Sequence, residues 1–108
     1  MRYAVSIPNF AEPGELVDLG AAAEASGWDG VFYWDHLYAG PAAPMPVADP
    51  WVVLGALAAR TSRVLLGPMV TPLPRRRPQK VAREAVTLDR LSGGRMVLGV
   101  GLGNPMEE

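Results

Sequence analysis

The feature that most restricts the fold is the segment from Arg63 to Gly103, RVLLGPMVTPLPRRRPQKVAREAVTLDRLSGGRMVLGVGLG. It reads as a strand, a proline-rich loop, a helix and a second strand. Two apolar, β-rich runs joined through a helix-period stretch make a βαβ unit with an elaborate loop. In parallel α/β proteins the loops leaving the C-terminal ends of the strands are where ligands bind. A long and unusual loop at that place therefore points to function.

The same rhythm runs through the whole chain. Four short apolar segments, Tyr3 to Ile7, Val31 to Trp34, Val64 to Val70 and Met96 to Val100, read as buried strands. Three helical stretches separate them. The first runs from Glu15 to Ser26, with Leu16, Leu19 and Ala23 on one face and Gly27 as its C-terminal cap. The second starts at Asp49-Pro50, an N-cap carboxylate before a proline, runs to about Thr61, and turns Val53, Leu54, Leu57 and Ala58 to the sheet. The third starts near Pro78 and ends at Gly93-Gly94. It turns Val81, Ala85 and Leu88, with the offset neighbours Ala82 and Val86, inward, and leaves Lys80, Arg83, Glu84 and Asp89 in water. The order β-α-β-α-β-α-β is that of a parallel sheet covered by helices.

With 108 residues, 49% of them apolar, the chain can bury one core. Four parallel strands could form a small open sheet or half of a (β/α)₈ barrel, and since a whole barrel takes roughly 200 residues or more, the expectation is a first half. Residues 1–108 thus read as a single partial domain. No apolar run approaches the ~20 residues of a membrane span, and the N-terminus lacks the pattern of a signal peptide, so the expected location is the cytoplasm. Cysteine is absent and histidine occurs once, which excludes thiolate chemistry and a histidine-rich metal site. The net charge of −1 gives no general attraction to nucleic acid or to a membrane.

Several residues at strand ends could carry chemistry. Asp35 and His36 follow the second strand, where an imidazole can exchange a proton with a bound ring and a carboxylate can fix its tautomer. Equally, Asp35 could cap a turn and His36 bond a backbone carbonyl. Trp34 or Tyr38 could wall a pocket, or belong to the core with Phe32 and Tyr33. Gly67-Pro68 interrupts the third strand, as a bulge next to a site or as a stiff loop. Arg75, Arg76 and Arg77 precede a helix N-terminus, where the dipole disfavours cations. Solvation could offset that, or they could form an anion site. Gly99 to Gly103 fails as a dinucleotide fingerprint, because Asn104 stands where a third glycine is needed. Gly99 reads instead as the small residue that lets a tight barrel close.

The strand-end Asp35-His36, the loop GPMVTPLPRRRP, the helix KVAREAVTLDRLSGGR and the final MVLGVGLG together resemble the N-terminal half of the bacterial luciferase-like flavin-dependent oxidoreductases. The resemblance covers nearly the whole chain. It implies a (β/α)₈ barrel that binds FMN, or the 8-hydroxy-deazaflavin coenzyme (F-420), at its C-terminal mouth, with two-electron or hydride transfer to or from a small organic substrate. It implies that His36 and Asp35 lie beside the reactive ring as catalytic residues. It also implies that Met69-Val70, with Thr71, forms the bulge that in several relatives holds a non-proline cis peptide. Leu102, Gly103 and Asn104 match a cofactor-touching loop, and the missing hydroxyl at Leu102 points to FMN. A half-barrel would expose strand edges and inner surface, so self-association or a complementary half-barrel is the expected partner. Two other readings stand beside this one: a catalytically silent assembly module, and an anion or nucleic-acid binder built on Arg75 to Arg77.

Overall fold

A computed structural model describes residues 1–40 and 44–103. Strand β1 (Ala4–Ile7) leads through helix α1 (Pro13–Ala25) to β2 (Gly30–Tyr33). Helix α2 (Pro50–Arg60) follows, then β3 (Leu65–Pro68) and β4 (Thr71–Pro72). A single 3₁₀ turn (Leu73–Arg75) precedes α3 (Pro78–Leu91) and β5 (Val100–Gly101). Every strand pairing is parallel, with Ala4 opposite Gly30 and Gly30 opposite Leu65, and Thr71 opposite Val100.

The expected third strand, Val64 to Val70, is two strands in the structure. A cis peptide bond at Met69-Val70 separates β3 from β4. The expected fourth strand, Met96 to Val100, is likewise reduced to a bridge between Leu66 and Met96 and the short β5. Backbone bonds still carry the 95–101 segment along its neighbour: Leu66 N donates to Arg95 O, Val97 N to Leu66 O and Thr71 N to Gly99 O. Gly67 and Gly99 permit that approach, since a Cβ on either would collide with the carbonyl oxygen of Val97 or Pro68. The spatial order is therefore β1, β2, β3 with β4, then β5, an α/β arrangement that fits part of a (β/α)₈ barrel.

The helices cover one face of the sheet. Val31, Tyr33, Val64 and Leu66 point into that layer and meet Leu16, Leu54, Leu57, Val81 and Leu88. Each large side chain so buried contributes about 1.5–3 kcal/mol. Asp49 caps α2 as expected, its carboxylate accepting from Val52 N at 3.0 Å. The buried face of α1 differs from the expected one, because Leu19 is 52% exposed and Gly20 takes the inward position. Tyr33 explains this: its hydroxyl passes across α1 to donate to Leu16 O at 2.6 Å, leaving no room for a side chain at residue 20. Without water around it, the phenol is pushed well above its ordinary pKa. In α3 only Val81 and Leu88 are buried and Ala85 half-buried, while Ala82 and Val86 face outward. One narrow stripe suffices there because α3 packs mainly against α2 among the helices.

The N-terminal ends of the strands are tied by two charged groups. The Glu24 carboxylate accepts from the backbone N–H groups of Ser62, Arg63 and Val64. Arg95 donates to the carbonyl oxygens of Ala58, Thr61, Val64 and Ser92 and to Thr61 Oγ1. These bonds satisfy the last carbonyls of α2, which its helix leaves unpaired. The opposite end of the sheet is left for binding.

Candidate functional site

At the C-terminal ends of the strands, Trp34, Asp35, His36, Met69, Val70, Pro72 and Gly103 line an open hollow of about 410 Å³. It draws on the loop after β2, the β3–β4 junction and the loop after β5. Five of the sequence-predicted site residues thus come together: Asp35, His36, Met69, Val70 and Gly103. Gly103 turns there with φ +89°, a conformation open to glycine. Thr71 does not line the hollow. It is buried behind it, where its hydroxyl accepts from the Trp51 indole at 3.0 Å. Leu102 is exposed on a separate apolar surface with Leu73, Pro74 and Val100. Asn104 lies outside the described residues.

Trp34 lines the hollow, whereas Tyr38 does not. The Trp34 indole donates to Ser6 Oγ at 2.9 Å, which fixes the ring across the end of β1. His36 forms a three-ring cluster with Phe10 and Trp34, its centroid 5.4 Å from Phe10 and 5.8 Å from Trp34, which are themselves 6.3 Å apart. The imidazole therefore has an aromatic setting on one side and the hollow on the other.

Asp35 is a different kind of group from its neighbour. Its side chain is only 1% exposed, and its Oδ2 accepts from Arg76 Nη2 at 2.6 Å, with Arg75 Nη2 3.8 Å from Oδ1. Arg75 also donates to the Asp35 carbonyl. Burial pushes the Asp35 carboxyl above its ordinary value, and Arg76 followed by Arg75 pull it part of the way back. Solvation, expected to offset the cluster before α3, is thus not what holds these two arginines: the anion they meet is Asp35 itself. Two of the three arginines in that cluster thus face an anion of the chain itself, while Arg77 stays exposed. Glu84, expected in water, is partly buried and faces both Arg76 and Lys80. The ion pairs fasten the 3₁₀ turn and the start of α3 to the end of β2.

Sequence reasoning missed Asn9. It is completely buried in the loop after β1 and bonds the backbone of His36 from 27 residues away. The available signal was its position, a polar residue one step beyond Pro8 at the same sheet end as Asp35 and His36. Phe10 was signalled by its position alone.

Parallel strands covered by helices on one face, with a hollow at the strand C-termini, make this an α/β protein whose arrangement fits part of a (β/α)-barrel. The family model for luciferase-like monooxygenases matches residues 1–108, and the chain belongs to that family. It is 44% identical over 109 residues to an F420-dependent glucose-6-phosphate dehydrogenase of Nakamurella multipartita, covering 98% of this chain and 31% of that one. The chain therefore spans about a third of the curated relatives it matches. Among solved structures it is similar to a coenzyme F420-dependent tetrahydromethanopterin reductase from Methanopyrus kandleri, with a TM-score of 0.83, 28% identity, and coverage of 95% of this chain and 27% of that one. It shares its fold with the oxygenating constituent of 3,6-diketocamphane monooxygenase from Pseudomonas putida, solved with FMN, at TM-score 0.83 and 23% identity, covering 99% of this chain and 31% of that one.

Proposed function

We propose that residues 1–108 form the N-terminal half of a luciferase-like oxidoreductase barrel and hold part of its cofactor site. The observation that carries this is the hollow itself. Its volume falls within the roughly 300–1,000 Å³ usual for small-molecule sites, and its walls are aromatic and apolar with a few polar groups. Trp34 and His36 on one side and Met69, Val70 and Pro72 on the other suit a flat ring system, and Gly103 lets backbone approach it. These residues fit a deazaflavin or a flavin.

The deazaflavin F420 is the reading favoured by the 44% identical dehydrogenase and by the 28% identical reductase. FMN is the second reading, supported by the missing hydroxyl at Leu102. When bound, such a group supplies hydride or two-electron transfer. His36 would donate a hydrogen bond or move a proton at the ring or the substrate. Asp35, buried and paired with Arg76, would hold the His36 segment in place rather than exchange protons itself. Met69 and Val70 would form the apolar wall behind the ring and exclude water from it. The inner face of the sheet would be covered by a complementary half-barrel or a second copy.

A fluorescence titration of F420, with FMN alongside, into the purified chain tests the reading. Saturable one-to-one binding of F420 that weakens at least tenfold in His36→Ala is the expected result. A folded chain that binds neither cofactor would overturn the assignment of the hollow. Tighter binding of FMN would overturn the choice of F420.

A further inference from the structure

The carboxamide of Asn9 is fully engaged. Nδ2 donates to the carbonyl oxygens of His36 at 2.8 Å and Ala48 at 2.9 Å, while Oδ1 accepts from the His36 N–H at 3.3 Å. The Asn9 backbone carbonyl accepts in turn from Ala48 N at 3.0 Å. A single side chain, 0% exposed, therefore joins the loop after β1 to both ends of the segment between β2 and α2.

The bonds to His36 have a particular geometry. Its N–H belongs to the peptide plane before its Cα and its carbonyl to the plane after. Peptide planes are rigid, so gripping both leaves little freedom in φ and ψ and fixes the direction in which the Cα–Cβ bond leaves the backbone. Only a planar group with one acceptor and two donors can do this. An aspartate would lose both donors, and an aliphatic residue would lose all three bonds. Phe10, the next residue, completes the hold by placing its ring against the imidazole.

We infer that Asn9 is the positioning residue for His36, setting the aim of the imidazole at the mouth of the sheet. The inference rests on the reading of His36 as the ligand-facing group. Asn9 does not line the hollow, so its influence passes through the histidine backbone. A group that must meet a ring in one orientation needs to be held to within about 0.5 Å, and a buried carboxamide supplies that precision without entering the site.

His36 is the single histidine of the sequence, so its ring signals can be followed by NMR in the ligand-free chain without ambiguity. The variants are Asn9→Ala and, should that fail to fold, Asn9→Ser, whose hydroxyl can still serve one of the buried partners. The control is Glu24→Gln, which weakens carboxylate bonds at the opposite end of the strands. In a folded Asn9 variant the His36 ring signals should move towards those of an unstructured histidine, and exchange of its amide should accelerate about tenfold or more. Glu24→Gln should leave the ring signals unchanged. F420 affinity should fall about tenfold in the Asn9 variant. Unchanged ring signals in a folded Asn9 variant would overturn the inference, and so would an equal response in Glu24→Gln. Should the parent chain fail to bind F420 while the ring signals respond as described, the cofactor reading fails and the positioning role stands.

Discussion

Arg76 reaches back from the turn before α3 to place a guanidinium nitrogen 2.6 Å from the buried carboxylate of Asp35, 41 residues earlier in the chain. The pair links two successive βα units at the sheet end where the hollow forms. Two arginines that look like an external anion site are thereby committed to an internal one.

Because Asp35 is inaccessible, removing its charge takes from Arg75 and Arg76 the buried carboxylate that both face. Asp35→Asn should therefore destabilise the fold by about 3–5 kcal/mol, the scale for breaking a buried pair from one side. The pair Arg60–Asp18 supplies the contrast, since its side chains are 54% and 67% exposed. Asp18→Asn should leave stability almost unchanged. Urea unfolding of the two variants beside the parent chain measures both, and equal midpoints for the two would contradict the distinction.

Glu24 makes a prediction about pH. Burial raises its pKa, but the N–H groups of Val64, Arg63 and Ser62 together with Arg95 outweigh this and leave it lowered from 4.5. A carboxyl lowered in the folded state binds its proton more readily when unfolded. The stability it contributes is thus full above 4.5 and is lost as pH falls through that value towards the folded pKa. Glu24→Gln should cost about 1.5–3 kcal/mol at neutral pH, as for hydrogen bonds to a charged group. The difference from the parent chain should shrink in acid, read as converging urea midpoints.

Gly20 and Gly55 are both helical, yet they should respond oppositely to alanine. A Cβ at Gly20 would lie 2.5 Å from Tyr33 Oη and 2.7 Å from a Leu57 methyl, whereas one at Gly55 would meet nothing within 4 Å. Gly20→Ala should destabilise by about 1–3 kcal/mol through overpacking. Gly55→Ala should stabilise by roughly 0.5–1 kcal/mol through helix propensity. Thermal melts of the two variants should therefore shift in opposite directions.

Gly20 also shows where the sequence stops being readable. The order of strands and helices follows from local periodicity, and the caps Asp49 and Gly93-Gly94 follow from local chemistry, so both are legible in one dimension. Leu19 was expected inward because periodicity cannot foresee that Tyr33, on a later strand, occupies the space above α1. The cluster at the mouth behaves in the same way. His36 and Asp35 are conspicuous as a strand-end pair, but their partners Asn9, Phe10 and Arg76 lie 26 to 41 residues away, and only the parallel register brings them together. The break between β3 and β4 was visible as a disturbance at Gly67-Pro68, though its position at Met69-Val70 was supplied by resemblance rather than by the residues alone.

The last prediction concerns the uncovered side of the sheet. The helices cover only one face, while Trp34, Met69 and Val97 stay exposed, and β1 is paired along one edge only among the described residues. Apolar surface and a free strand edge favour association, because burying the first excludes water and pairing the second satisfies backbone groups. The 108-residue chain should accordingly sediment as a concentration-dependent mixture of monomer and larger species. Val97→Lys, which places a charge on exposed apolar surface beside the β3–β4 break, should shift that mixture towards monomer. Sedimentation equilibrium over a range of concentrations reads both effects, and a stable monomer at every concentration would show that the open face needs no cover.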